Sequence, residues 1–165
     1  MEERPKIEIK FNTADKLLEI IGWITLALQW IMTILNYSNL PDTIPIHFNA
    51  SGQADDFGSK GYIFTLPIIG TVIFLGITIL NKFPHIFNYP TAITKDNAEK
   101  QYKNAFRMMI YLKFVIVFTF IIIQYKTIQT AFGNSQGLGV WFLPLSMGLI
   151  LIPTIFFVIK AVKTK

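Results

Sequence analysis

Four apolar runs, about Leu17–Tyr37, Tyr62–Leu80, Phe106–Tyr125 and Leu138–Ile159, constrain this chain more than any other feature. Each holds about 20 residues, which at about 1.5 Å per residue matches the ~30 Å hydrocarbon thickness of a bilayer. Inside lipid every backbone amide must find its partner within the protein, so runs of this length predict helices. Four buried helices of a large soluble protein are excluded, because too few other residues remain to cover them. Charge agrees. Only 15% of the residues are charged and 52% are apolar, where a soluble domain carries about 25% charge. The expected fold is an all-α integral membrane protein with four transmembrane helices, forming a single polytopic domain over residues 1–165.

Lys and Arg set the expected orientation. Arg4, Lys6, Lys10 and Lys16 precede the first run; Lys82, Lys95, Lys100, Lys103 and Arg107 flank the second connection; Lys160, Lys163 and Lys165 follow the last run. The first and third connections hold only Lys60 and Lys126. By the positive-inside rule both termini and the middle connection are cytoplasmic, and the other two connections face outward. The net charge of +5 is then explained by anionic lipid head groups. No basic stripe interleaved with aromatics lies outside the runs, so no nucleic-acid partner is expected. The first run is too long for a signal-peptide core and ends without a small-x-small site, so no cleaved signal is expected. Cysteine is absent, which removes disulfides, thiolate nucleophiles and Cys-ligated metals.

Within the runs, Glu19 lies about one turn from the cytoplasmic edge and Lys113 about two turns. Two readings stand: the two groups pair near the inner leaflet, or each snorkels separately to the interface. No Asp, Glu or His sits near a midplane, which argues against an ion-coupled carrier. Pro67 is expected to bend the second helix near its outer end, and Pro144 and Pro153 to interrupt the fourth. Gly70, Gly76 and Gly148 are expected to permit close helix approach. In the middle connection, Thr94 or Asp96 reads as the cap of a helix running unbroken into the third span. His85, among aromatics, reads as structural.

The first connection carries the chemistry. Its sequence runs from Leu40 to Lys60, and Ile44, Ile46 and Phe48 alternate with Pro45, His47 and Asn49. That period of two predicts a short extended segment, its apolar side packed on the helix tops or dipping into the interface and Pro45, His47 and Asn49 on the other face. Asn49-Ala50-Ser51-Gly52 reads as a turn, with Gly52 supplying a positive φ. The turn brings Asp55 or Asp56 within reach of His47, and Ser59 can cap the start of the second helix. Three uses of His47 are weighed, in this order: a bond to the turn backbone that locks the loop, a ligand-recognition surface, and base catalysis with Asp55. The spacing of His47, Asp55 and Asp56 matches no zinc signature, and no cofactor is expected.

The pattern Pro41-x-x-Ile44-Pro45-x-His47-Phe48-Asn49-x-x-Gly52-x-x-Asp55, just after a first membrane helix, resembles the N-terminal membrane domain of the SdpI-type immunity proteins. The similarity is strongest over Leu40–Lys60, and Pro84-x-x-x-Asn88-Tyr89-Pro90 adds to it. This resemblance implies a multi-pass protein of a bacterial cell membrane, belonging to a group mostly of unknown function. It marks Pro45, His47, Phe48, Asn49, Gly52 and Asp55 as the motif. For the immunity protein itself it implies protection against a secreted toxic peptide and relay to a cytoplasmic repressor. Longer members of that group continue through further membrane helices.

Three function classes are open. The first is a non-enzymatic sensor or immunity-like protein, with the lipid bilayer, an extracellular peptide ligand and a cytoplasmic regulator as partners. The second is a membrane enzyme using His47 and Asp55. The third is a small transporter or a subunit of one.

Overall fold

The computed structural model describes residues 4–164, so Lys165 lies outside the described residues. Its order is α1 (Thr13–Tyr37), β1 (Thr43–Phe48), β2 (Ala54–Ser59), a 3₁₀ segment (Lys60–Phe64), α2 (Thr65–Leu80), a 3₁₀ turn (Pro84–Ile86), α3 (Ala98–Ala131) and α4 (Phe142–Lys163). Four helices are long and apolar enough to cross a membrane. The expectation of an all-α fold needs one correction, since β1 and β2 form a two-stranded antiparallel sheet.

Local chemistry places the helix starts. α1 begins ahead of the apolar run because Asn12 and Asp15 form a capping box: Asp15 N–H donates to Asn12 Oδ1 at 2.7 Å and Asn12 N–H to Asp15 Oδ2 at 2.9 Å. α3 is entered through a similar exchange, with Thr94 N–H donating to Asn97 Oδ1 at 2.9 Å and Asn97 N–H to Thr94 Oγ1 at 3.3 Å. The N-cap itself is Asn97, without a side-chain cap bond, so neither Thr94 nor Asp96 caps α3 as expected; Thr94 shapes the turn that precedes it. α3 then runs for 34 residues, roughly 50 Å, so it projects beyond the bilayer core. α4 starts at Phe142 rather than Leu138, since Gly137 and Gly139 have φ of 130° and 84°, outside the helical region.

α1, α2 and α4 all pack on α3, which is the centre of the bundle. Its polar side chains clasp each neighbour. Lys113 Nζ lies 2.8 and 2.7 Å from the two carboxylate oxygens of Glu19 on α1, with hydrogen-bond geometry to Oε1. It also donates to Thr78 Oγ1 on α2 at 2.7 Å and sits 4.5 Å above the Phe74 ring. The two charges therefore pair, and the Lys113 side chain is only 2% exposed. Gln124 Nε2 donates to Thr33 Oγ1 on α1 at 2.7 Å. Gln101 and Asn104 donate to Ala161 O and Phe157 O on α4, both at 2.8 Å.

Pro144 and Pro153 do not interrupt α4 as expected. Pro67 and Pro144 sit in the first turns of α2 and α4, and α4 continues through Pro153. A proline has no N–H, so the carbonyl four residues earlier loses its donor. For Pro67 that carbonyl is Ile63 O, which accepts from Gln124 Nε2 at 3.0 Å. For Pro153 it is Leu149 O, which accepts from Tyr111 Oη at 3.1 Å. Both repairs come from α3, the kind of compensation that lets proline persist in membrane helices.

The glycines also need correcting. Gly70 does face Gln29 and Phe120, but among the described residues nothing stands within 4 Å of a Cβ at Gly76, and Gly148 meets only Ile152 of its own helix. The close approach is at Gly22, where a Cβ would fall 2.7 Å from the Phe74 ring. Gly76 and Gly148 lie off the faces that meet other helices, so their small size has no packing consequence.

The proline repair gives a double-mutant prediction. Tyr111→Phe should destabilise the protein by about 1 kcal/mol by stranding Leu149 O. In a Pro153→Ala background, where position 153 regains an N–H of its own, the same change should cost little. Unfolding by denaturing detergent measures both; equal costs in the two backgrounds would contradict the repair.

Candidate functional site

β1 and β2 pair with Ile44 opposite Gly58 and His47 opposite Asp56, and the register shifts on either side of His47. The irregularity reverses part of the expected alternation. Ile44 and Pro45 are both buried, whereas Ile46 is 40% exposed and lies over Gly58. Ile44 packs with Leu40, Ile63 and Ile128, which seats the hairpin on the ends of α1 and α3.

Asn49 organises the turn. Its Oδ1 accepts from Ser51 N–H at 3.0 Å and Gln53 N–H at 3.1 Å, while its backbone N–H donates to Gln53 O at 2.9 Å. This is the side-chain-to-backbone bonding that Asn favours in turns. His47 has no part in it, which corrects the expectation that its ring locks the turn backbone. Gly52 adopts φ 76°, and its carbonyl accepts from Leu138 N–H at 2.7 Å. Gln53 bridges to Gly137. The hairpin tip is thus fastened to the connection between α3 and α4.

His47 Nδ1 lies 2.6 Å from Asp55 Oδ1, on side chains 65% and 40% exposed. Asp56 turns elsewhere, its Oδ1 accepting from Phe57 N–H at 2.8 Å. A carboxylate can only accept, so Nδ1 carries the shared proton. Neutral His47 therefore presents Nε2 as a hydrogen-bond acceptor, held by Asp55. Among the described residues no hydroxyl bonds to His47, and no group of three His, Asp or Glu side chains comes together. Lys60 pairs with Asp42 at 3.0 Å, and the segment 40–60 holds three aspartates against that single lysine.

His47 stands between two hollows. One, of about 380 Å³, lies under β1 between α2, α3 and the start of α4. It is mostly apolar, with Gln124, Thr127 and Thr65 as polar points. The other, of about 310 Å³, runs along the turn from Asn49 to Leu143. They share His47, Phe48, Leu138 and Phe142, forming one trough. Of the motif residues, Pro45 and Phe48 line the trough, His47 and Asp55 form the rim pair, and Asn49 and Gly52 shape and dock the turn. Glu19 and Lys113 belong to a separate, structural cluster in the bundle. The motif does not single out Gln124 and Thr127, although two polar residues at i and i+3 in an apolar run mark one inward face.

A family model described as a domain of unknown function (DUF1648) matches residues 24–71, which take in most of α1, the whole hairpin and the start of α2. An uncharacterized protein of Archaeoglobus fulgidus is 37% identical over 87 residues, covering 48% of this chain and 47% of that protein. The match thus spans about half of the relative's length, and similar sequence occurs in an archaeon. No solved structure matches.

The docking of the tip is testable at Gly52. A Cβ there would fall 2.5–2.7 Å from Gly139 backbone atoms, at a φ that L-residues resist. Gly52→Ala should speed hydrogen exchange at the Leu138 amide by about tenfold or more while the α1–α3 core keeps its protection. Unchanged exchange at Leu138 would show that the tip is held some other way.

Proposed function

We propose that this chain is a multi-pass membrane protein whose hairpin end faces outward and recognises an amphipathic, cationic peptide, acting as an immunity-like or sensing protein. The observation that carries this reading is the exposed His47–Asp55 pair on the rim of a mostly apolar trough. An apolar segment suits the trough, and a backbone or side-chain N–H suits the acceptor at His47 Nε2. Excess aspartate on the hairpin favours a cationic ligand and speeds its capture.

The outward orientation rests on the lysine and arginine distribution and not on hydropathy. The basic opposite end is suited to a cytoplasmic regulator. Resemblance to the SdpI-type domain supports the immunity-like reading and a bacterial cell membrane. An enzyme remains the second reading, because Asp55 orients His47 as it would a general base.

The test is survival of cells sensitive to a secreted membrane-active cationic peptide. Cells would carry the intact protein, His47→Ala, His47→Asn or nothing, with membrane levels matched. The proposal predicts protection by the intact protein and loss of it in His47→Ala. It also predicts substantial retention in His47→Asn, which keeps a hydrogen-bonding side chain without a base. Loss in both variants would favour catalysis, and equal sensitivity in all strains would contradict protection against that peptide.

A further inference from the structure

At the opposite end of the bundle lies a cavity of about 440 Å³, lined by residues that the recognition site does not use. Its walls are the extended N-terminal segment (Glu8, Ile9, Phe11), the C-terminal end of α2 (Thr78, Asn81, Lys82), Pro84 and Phe106. Asn81 is only 8% exposed, and its side-chain oxygen is buried without a hydrogen-bond partner among the described residues. An unmet acceptor in such a place costs about 1–3 kcal/mol unless something donates to it.

The lining describes the missing donor. Asn81 Oδ1 and the Glu8 carboxylate are acceptors, and the negative end of the α2 dipole points the same way. Together they suit a primary ammonium, which carries several N–H donors and a positive charge. Lys82 on the same wall suits an anion, most strongly a phosphate. Phe11 and Phe106 meet edge-on, with ring centroids 5.0 Å apart, and give the cavity an apolar side. The cavity sits where α2 ends, at the level where lipid head groups meet a helix that spans the membrane.

We propose that this cavity binds a phosphoethanolamine group, supplied by a membrane lipid, with the ammonium on Asn81 and Glu8 and the phosphate on Lys82. A phosphocholine group has the same charges but no N–H, so it cannot satisfy Asn81. A phosphoglycerol group can donate through hydroxyls but offers Glu8 no positive charge. The site therefore discriminates by the hydrogens on nitrogen.

The experiment follows thermal unfolding of the full chain in detergent with added phosphatidylethanolamine, phosphatidylcholine, phosphatidylglycerol or soluble phosphoethanolamine. Phosphatidylethanolamine should raise the midpoint by about 3 °C or more above the other two lipids. Asn81→Leu should abolish that difference, and Asn81→Asp should keep it. Glu8→Gln, at an exposed position, should reduce the difference without threatening the fold, and it decides the matter if Asn81→Leu does not fold. An equal effect of soluble phosphoethanolamine would keep the chemistry and move its source into solution. Equal stabilisation by phosphatidylcholine, or an undiminished preference in Glu8→Gln, would overturn the proposal.

Discussion

Lipid removes the force that usually assembles helices. Hydrocarbon chains are as apolar as leucine, so burying one helix against another gains little from dehydration. What remains is close packing and hydrogen bonding, and in this chain both converge on α3. Lys113 joins α1 to α2 through Glu19 and Thr78. Gln124 joins Thr33 of α1 to the carbonyl of Ile63, just ahead of α2. Gln101, Asn104 and Tyr111 hold the α4 carbonyls of Ala161, Phe157 and Leu149. Two of these bonds replace donors that prolines lack, so the same side chains that assemble the bundle also keep its broken ladders satisfied.

That frame positions the hairpin. Ile44 is buried against Ile63 and Ile128, next to the Ile63 carbonyl that Gln124 holds. At the other end of the hairpin, Gly52 accepts from Leu138 as the chain enters α4. β1 is therefore fastened at both ends and spans the gap between α2 and α4, with the trough beneath it. His47 is left at the rim because the register shift turns Pro45 inward and Ile46 outward. Its ring takes direction from Asp55, which is itself exposed, so the pair is fixed but accessible.

Much of this is legible in the sequence, for reasons that are local. Bilayer thickness dictates the length of a span, so the four runs can be read from apolar content alone. Asn49 and Gly52 announce a turn by their own backbone chemistry, and a turn of that size returns Asp55 to His47. The features that escape a sequence reading depend on partners distant in the chain. The expected interruption at Pro153 is absent because Tyr111 reaches across from another helix to the carbonyl left without a donor. Gly22 looks like any other glycine until Phe74 is placed against it. The exchange of Pro45 for Ile46 comes from a register shift that strict alternation cannot anticipate. The start of α1 is hidden because Asn12 and Asp15 lie in a mixed-charge tail outside the apolar run.

A trough that meets a secreted peptide requires the docked hairpin to look outward while both termini stay inside. The absence of cysteine allows a direct test with single-cysteine variants at two exposed positions, Ser51→Cys on the turn and Lys163→Cys at the end of α4. Intact cells would be treated with a membrane-impermeant maleimide, then permeabilised and treated again. Ser51→Cys should be labelled in intact cells and Lys163→Cys only after permeabilisation. Labelling of Lys163→Cys in intact cells, with Ser51→Cys protected, would contradict this orientation and place the trough on the cytoplasmic side.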